Sequence, residues 1–420
     1  MPTSLFCLDV LGKMYHLPTT SSQWEQLPYL GVEFKKISAS QNSIWAIGSD
    51  QQVYVYVYGL ENPIRVKVDT YENQRWNPID GFCSKLLATD RPHYSSKDGT
   101  ECREFNGICL PSLGWQWEGP WVVDGTLDGT PLETEGWTYA VDFPATFSAQ
   151  KRFTSCVRRR HWVRYRRYVA VSSWSSVPPL HRDAVEEPFV DVAVGGAELP
   201  GWEADNLMVW AVTIRGRIIY RSNVSWLSPE GDGWVHVPSA QGGEARQIAC
   251  GPSGLTWAVT WEGAALVRTG MCRDTPHGTE WCPVLPPPGV QLEQVSVGDD
   301  CVWAVSRDKR VFFRKGVKGR EMCENTTLAR GTGWLEMVGS MASVSVGLSN
   351  QVLTLGTDGG LYLRSHVTSG GGDAASLRLL RLDEDEPRPQ ELWRQTVREQ
   401  LRKRNEQLQP FRVYDEAVER

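Results

Sequence analysis

A short unit that recurs along the chain constrains its fold more than any other feature. Three copies read VWAVTIRGRIIYR, TWAVTWEGAALVR and VWAVSRDKRVFFR, and they begin at Val209, Thr256 and Val302. Their tryptophans are 47 and 46 residues apart. Self-similarity at a fixed period of this length is typical of repeat architectures, in which each copy is one supersecondary unit. We therefore expect most of the chain to be built from similar copies.

Each copy carries the pattern of four short strands. The tryptophan segment alternates around a polar turn, which predicts a hairpin. A Gly-x-x-Trp segment (GDGWVHV, GTEWCPV, GTGWLEM) and a small-residue segment (QIACG, QVSVG, SVSVG) predict two more strands. Four strands in a unit of this size indicate a propeller blade, with the tryptophans packed between blades. The tryptophan slot is filled six times, which predicts an all-β propeller of about six blades: Phe6, Trp45, Trp210, Trp257, Trp303 and Leu353.

These units resemble tectonin repeats, the Trp-rich blades of the tectonin β-propeller repeat-containing proteins. The VWAV, GRIIYR and GxxW segments carry the resemblance, which covers most of residues 1–61 and 190–382. Propellers serve many unrelated functions, so the fold alone names no chemistry. The resemblance implies a scaffold whose function depends on the segments attached to it.

A long insertion separates two of the copies. Trp45 and Trp210 are 165 residues apart, far more than one blade needs. The segments YENQRWNPIDGF, LGWQWEGPWVVD, EGWTYAVDFPATF and KRFTSCVRRRHWVRYRR are similar to a DysF domain, which implies a small β structure held by stacked arginine and tryptophan side chains. We predict five parts: first blades 1–61, DysF insertion 62–171, remaining blades 172–382, linker 383–389 and C-terminal α-helix 390–420.

The basic run RRRHWVRYRR is expected to serve this stacking. Alternate residues of a strand share a face, which groups Arg158, Arg160, Trp162, Arg164 and Arg166 against Arg159, His161, Val163, Tyr165 and Arg167. Rings of neighbouring strands then form cation–π layers with these arginines: Trp76, Trp115, Trp117, Trp121 and Trp137. A nucleic-acid site needs a free basic face, and the net charge of the chain is −6. We therefore expect no nucleic-acid partner.

The DysF resemblance also implies a lipid site. In tectonin β-propeller repeat-containing proteins, the first DysF domain is implied to read sphingomyelin exposed on the cytosolic face of damaged lysosomes, through an aromatic residue before S-C-V-R-R-R. The segment KRFTSCVRRR places Phe153 in that slot, where the family has tryptophan, next to Lys151 and Arg152. Trp137 and Tyr139 are candidates for an aromatic wall around a choline head. The alternative is that Phe153 is a buried strand residue.

The C-terminal segment predicts a helix that binds a partner. No glycine or proline occurs from Glu391 to Gln409, and Trp393, Val397 and Leu401 recur every four residues. The segment resembles the N-terminal helix of autophagy protein sixteen, which implies binding to autophagy protein five. The implied contacts are Trp393, Val397, Leu401 and Arg404. Two alternatives are a helix that packs on the propeller and one that lies on a membrane.

These segments together favour an adaptor over two other classes of function. The adaptor would bind exposed sphingomyelin and recruit autophagy protein five conjugated to autophagy protein twelve, as the non-catalytic targeting subunit of an E3-like complex that promotes lipidation of the ubiquitin-like autophagy modifier. The second class is a lectin-like or peroxisome-related propeller without a conjugation role. An enzyme is disfavoured, because no GxSxG, P-loop or HExxH motif occurs.

Cysteine usage and the N-terminal segment bear on location. The ten cysteines form no CxxC pair, so we expect no zinc site. Since no enzyme motif occurs either, we also expect no cofactor and no catalytic residue. The N-terminal segment has no basic region followed by a long apolar core, and no run of eighteen apolar residues occurs. We expect a cytoplasmic protein that is recruited peripherally to damaged lysosomal or other endomembranes.

Overall fold

A computed structural model describes residues 4–21, 23–58, 63–133, 135–202, 206–239, 243–322, 325–347, 350–364, 379–381 and 394–395. The chain divides into two compact units. One comprises Met1–Gly59 and Ser172–Arg420, and the other comprises Leu60–Val171. We call them the propeller unit and the inserted unit and describe each by itself.

The propeller unit is made of antiparallel β-sheets that follow the sequence copies one by one. Strands are numbered in chain order, and β7–β14 belong to the inserted unit. The first blade contains β1 (Ser4–Leu8), β2 (Met14–Pro18) and β3 (Glu25–Gln26). The second contains β4 (Phe34–Ala39), β5 (Ser43–Gly48), β6 (Val53–Val57) and β15 (Trp174–Ser176). The third contains β16 (Phe189–Gly195), β17 (Met208–Thr213), β18 (Ile218–Arg221) and β19 (Trp234–His236).

The remaining blades repeat this order. The fourth contains β20 (Ala245–Cys250), β21 (Thr256–Thr260), β22 (Ala265–Thr269) and β23 (Glu280–Val284). The fifth contains β24 (Leu292–Val297), β25 (Val302–Ser306), β26 (Arg310–Lys315) and the first half of β27 (Gly333–Val346). The sixth contains the second half of β27, β28 (Val352–Gly356), β29 (Leu361–Arg364) and β30 (Leu379–Arg381). A short helix, α1 (Thr326–Arg330), precedes β27.

The first and last blades pack on each other, which closes the ring at six blades. Leu17 of the first blade shares a buried cluster with Leu353 and Leu363 of the sixth. On its other side, Phe6 packs against the core of the second blade. The four repeat tryptophans are at most 1% exposed, as their predicted packing role requires: Trp45, Trp210, Trp257 and Trp303. The predicted propeller fold is confirmed.

The described residues of the first blade form three strands, one fewer than in each other blade. Phe6 fills the position of the repeat tryptophan and lies in β1, the first described strand. In each other blade, the residue at this position lies in the second strand. The described residues of this blade thus include three of the four strands expected in each copy. The inserted unit also has a definite place, between β6 and β15, the third and fourth strands of the second blade. These two strands pair, with Trp174 opposite Tyr56, so the blade is completed across the insertion.

A buried arginine connects two strands within each of three successive blades. The Nε atoms of Arg221, Arg268 and Arg314 donate to backbone carbonyls 2.7, 2.7 and 2.9 Å away, those of Glu230, His277 and Arg330. The guanidinium groups also lie 5.1–5.3 Å from the ring centres of the Gly-x-x-Trp tryptophans, Trp234, Trp281 and Trp334. Burial lowers the pKa of Arg221 and Arg268 to about 10, so both are charged at neutral pH.

The glycine of the Gly-x-x-Trp segment makes this arrangement possible. Gly278 has φ +66°, and a Cβ atom there would lie 2.6 Å from the carbonyl oxygen of Thr269. Gly231 and Gly331 have the same geometry in their own blades. A side chain is excluded by both backbone conformation and space, so the glycine is part of the blade's arginine contact.

Side chains of the innermost strands link neighbouring blades. The Oε1 atoms of Gln247 and Gln294 accept the N–H groups of Val295 and Val344 at 2.9 and 3.1 Å. Asp191 occupies the corresponding position of the third blade, and its Oδ2 atom accepts the N–H of Ile248 at 2.9 Å. Asp191 is 5% exposed, and burial raises its pKa to about 6 despite the positive charge of Lys36.

The raised pKa predicts a pH dependence of stability. The folded state binds the Asp191 proton more tightly than the unfolded state. The stability that this proton contributes is therefore fully present below the ordinary pKa of an aspartic acid, and it is lost as pH rises through about 6. A shift of this size corresponds to about 3 kcal/mol. Asp191→Asn keeps an acceptor for Ile248 and removes the charge. We expect the stability difference between variant and wild type to change between pH 4 and 7 in urea unfolding, in favour of the variant at pH 7; parallel profiles would contradict this.

Candidate functional site

The inserted unit is a six-stranded sheet around one long basic strand. Its elements are β7 (Arg65–Asn77), β8 (Gly81–Cys83), β9 (Tyr94–Ser95), η1 (Phe105–Gly107), β10 (Trp115–Val123), β11 (Thr126–Leu127), β12 (Thr130–Pro131), β13 (Trp137–Ala140) and β14 (Val157–Tyr168). The basic strand β14 pairs with β7, β10 and β13. The strands β11 and β12 form a separate two-stranded sheet. The backbone of β14 is thus held from both sides, which fixes the two faces on which its side chains lie.

The predicted stacking of arginines and rings is confirmed on one face of β14. Arg158 and Arg160 lie over the Trp137 ring, with 3.9 and 4.6 Å from each guanidinium carbon to the ring centre. Further along the same face, Arg164 lies over Trp117 and Arg166 over Trp115. Two of the predicted rings have other surroundings than the predicted stack of arginines. Trp121 packs on Phe105 and Trp117, and Trp76 is 47% exposed.

A buried carboxylate, which the sequence analysis did not single out, completes this face. Glu72 is 5% exposed, and one of its oxygens accepts both Arg160 Nε at 2.6 Å and Trp162 Nε1 at 2.9 Å. On the opposite face, Arg159 lies 4.0 Å from the Phe147 ring centre, and His161 stacks on Tyr71. These basic side chains are engaged inside the unit, which supports a structural role for the run.

Phe153 lies in a tight turn and is fully exposed. The Ser155 N–H donates to the Arg152 carbonyl at 3.0 Å, and the Arg152 N–H donates to Ser155 Oγ at 3.0 Å. The relative exposure of Phe153 is 102%, so the alternative of a buried strand residue is wrong. Lys151 and Arg152 are exposed beside it, and Lys151 Nζ lies 5.3 Å from the Phe82 ring centre. The three residues form what we call the Phe153 turn.

Trp137 and Tyr139 do not face this turn as an open wall. They are 4% and 9% exposed, and Arg158 and Arg160 both lie over the Trp137 ring. The indole N–H of Trp137 donates to the Glu135 carboxylate at 2.9 Å. This burial argues against the predicted aromatic wall for a choline head, because a ring already covered by cations cannot also receive one.

The predicted partner-binding residues Trp393, Val397, Leu401 and Arg404 lie outside the described residues, as does the predicted linker 383–389. Arg394 is described, and its Nη2 atom donates to the Ser21 carbonyl at 2.8 Å. The chain therefore touches the first blade at this point. Within the part of the chain that the structure describes, no helix has the length and apolar character needed to span a bilayer.

Proteins of known name match most of the chain. The Drosophila melanogaster protein named tectonin beta-propeller repeat-containing protein is 54% identical over 380 residues, which are 90% of this chain and 28% of that protein. The chain belongs to the tectonin β-propeller repeat-containing protein family. The Mus musculus tectonin beta-propeller repeat-containing protein 1 is 49% identical over 355 residues, 84% of this chain and 30% of that protein. The chain thus spans less than a third of the length of these tectonin relatives.

Family models match separate parts of the chain. The tectonin domain matches residues 288–385, which include the described strands of the fifth and sixth blades, and a family described as propeller matches residues 208–237. A family described as integral peroxisomal membrane peroxin matches residues 19–164, which include the Phe153 turn. Among solved structures, Prp20p from Saccharomyces cerevisiae matches 91% of this chain and 76% of its own, at 11% identity and a TM-score of 0.42.

Proposed function

We propose that this tectonin propeller is a scaffold for a membrane-recruited adaptor. The inserted unit binds a damaged endomembrane through the Phe153 turn, and the C-terminal segment recruits autophagy protein five conjugated to autophagy protein twelve. The chain then acts as a targeting subunit for lipidation of the ubiquitin-like autophagy modifier. The observation that carries the membrane part is the complete exposure of Phe153 directly after two exposed cations, Lys151 and Arg152.

The exposed ring supports membrane contact on energetic grounds. Burying a phenylalanine side chain gives about 1.5–3 kcal/mol, and a turn can insert it without disturbing the sheet. Lys151 and Arg152 can pair with lipid phosphates while their stems follow the ring into the interface. One such turn gives weak, reversible binding, which suits a protein that must leave intact membranes.

The choice of lipid rests on the DysF resemblance. Sphingomyelin carries a phosphocholine head, whose phosphate fits the cations of the Phe153 turn. The family's tryptophan is replaced by phenylalanine in this chain, and the smaller ring buries less apolar area. We therefore expect weaker binding than a tryptophan at this position gives.

Phe153→Ala is expected to weaken binding to vesicles of sphingomyelin and phosphatidylcholine by about tenfold, because it removes the apolar side chain that enters the interface. Flotation measures this directly. Leu113→Ala is a matched control, since Leu113 is 94% exposed and lies in the same unit near Tyr168, at the opposite end of β14. Equal binding of wild type and Phe153→Ala would refute membrane contact through this turn. Equal binding to vesicles without sphingomyelin would refute the lipid assignment alone.

The peroxisomal family match supports a second candidate, a propeller at the peroxisomal membrane without a conjugation role. The match includes β3 of the first blade, strands β4–β6 of the second blade and the Phe153 turn. Imaging the full chain in cells with damaged lysosomes separates the two candidates. Recruitment to the damaged lysosomes favours the adaptor, and steady residence at peroxisomes favours the second candidate.

A further inference from the structure

Of the other exposed apolar side chains in the inserted unit, three lie on segments that pair next to the strand following Phe153. Ile79 is 91% exposed, Val141 is 58% exposed and Trp76 is 47% exposed. Exposed apolar residues that occur singly are ordinary on a protein surface. Their positions relative to Phe153 therefore decide whether they matter.

Backbone hydrogen bonds bring these segments to the same end of the sheet. The Trp76 N–H donates to the Cys156 carbonyl at 2.8 Å, and the Cys156 N–H donates to the Ala140 carbonyl at 3.0 Å. Residues 77–80 directly follow Trp76, and residues 141–142 directly follow Ala140. Residues 152–155 directly precede Cys156. The three loops therefore leave the sheet side by side, at the end of β7 opposite Arg65.

The loop that carries Ile79 is held in shape by its own side chain contacts. The Oδ1 atom of Asn77 accepts the N–H groups of Ile79 at 2.9 Å and Asp80 at 2.8 Å. This bonding fixes the turn while the Ile79 side chain stays in solvent. Like Phe153, Ile79 is presented by a turn whose backbone is already ordered, so its insertion requires little further ordering.

The charges around the loops favour a lipid surface. At this end, Asp80 pairs with Lys85 at 2.8 Å, and Arg75 pairs with both Asp142 at 2.7 Å and Asp90 at 2.6 Å, so three carboxylates face two cations. Lys151 and Arg152 add two exposed cations. This end of the unit is therefore net positive around its apolar side chains, which matches the phosphates of a bilayer surface.

We propose that the three loops form one membrane-inserting surface in which Ile79 is a second anchor beside Phe153, with Val141 at its edge. This inference rests on the proposed membrane contact and extends it. Each side chain stands on a separate convex turn with most of its surface free, an arrangement suited to a fluid interface. Two anchors on ordered turns also fix the angle of the sheet to the bilayer, which a single ring cannot do.

Flotation of the full chain on vesicles of sphingomyelin, phosphatidylcholine and phosphatidylserine tests this surface. We expect Ile79→Ala to weaken binding about fivefold, because isoleucine buries less area than phenylalanine. The double variant Ile79→Ala, Phe153→Ala is expected to bind more weakly than either single variant. Leu113→Ala is the control, and urea unfolding verifies that the exposed substitutions leave the unit folded.

The two proposals fail in different ways. If Phe153→Ala weakens binding while Ile79→Ala behaves like Leu113→Ala, the second anchor is refuted and the proposed membrane contact remains. If neither substitution changes binding, both are refuted. A further arm with an excess of soluble phosphocholine distinguishes capture of the free head group, which the excess abolishes, from insertion into the bilayer, which it leaves intact.

Discussion

Arg268→Ala is expected to lower the free energy of unfolding of the propeller unit by about 3–5 kcal/mol, because two carbonyls lose their donor, at about 1–3 kcal/mol each, and a cavity is left. Arg268 is 4% exposed, and its guanidinium donates to the carbonyls of His277 and Gly278 at 2.7 and 2.9 Å. Alanine removes both donors, leaves the two carbonyls buried without them and opens a cavity beside Trp281. Urea unfolding followed by tryptophan fluorescence measures the loss.

A surface arginine in the same blade provides the control. Arg273 is exposed, so Arg273→Ala is expected to change the free energy of unfolding by less than about 0.5 kcal/mol. A similar small effect for Arg268→Ala would show that the buried arginine contributes little to the blade. Arg221→Ala should behave like Arg268→Ala, because it makes the same contacts in the third blade.

Trp393→Ala is expected to weaken binding to the conjugate of autophagy proteins five and twelve by about a hundredfold or more. A central tryptophan of a helix in a groove commonly contributes 2–4 kcal/mol, so about 3 kcal/mol corresponds to this factor. Isothermal titration with the purified conjugate gives the affinity. Gln395→Ala is the matched control, because residues two apart on a helix do not share a face.

The same variant separates recruitment from docking on the propeller. Arg394 contacts the first blade through Ser21, so a helix that packs on the propeller is the main alternative. In that case Trp393→Ala would lower the stability of the propeller unit and leave the affinity for the conjugate unchanged. If the helix recruits the partner, the affinity falls and the stability is unaffected.

The sequence predicted the propeller well because its signal is local and periodic. The repeat tryptophans occur at the blade spacing and are all buried, and the alternation of arginines on β14 follows directly from strand geometry. The contacts that depend on tertiary packing were harder to predict. The arginine that closes the copies in the third to fifth blades was visible as a repeat, but its carbonyl partners lie nine to seventeen residues further on, across a turn that needs glycine.

The candidate site shows the same division. Phe153 could be predicted because the motif around it is contiguous. Stacking of arginines on Trp137 was predicted too, but that Arg158 and Arg160 together cover this ring could not be, because it depends on how β13 pairs with β14. Ile79 and Val141 carry no motif, and only the hydrogen bonds between distant segments place them beside the Phe153 turn.

Co-flotation of the conjugate with sphingomyelin vesicles tests the adaptor most directly. The conjugate, the full chain and vesicles are mixed, and the conjugate that rises with the lipid is measured. We expect the wild-type chain to carry the conjugate upward, and we expect Phe153→Ala and Trp393→Ala each to abolish most of this transfer. Phe153→Ala should leave the soluble complex with the conjugate intact, and Trp393→Ala should leave vesicle binding intact. Transfer of the conjugate that persists in either variant would contradict a chain that joins membrane and partner through these two residues.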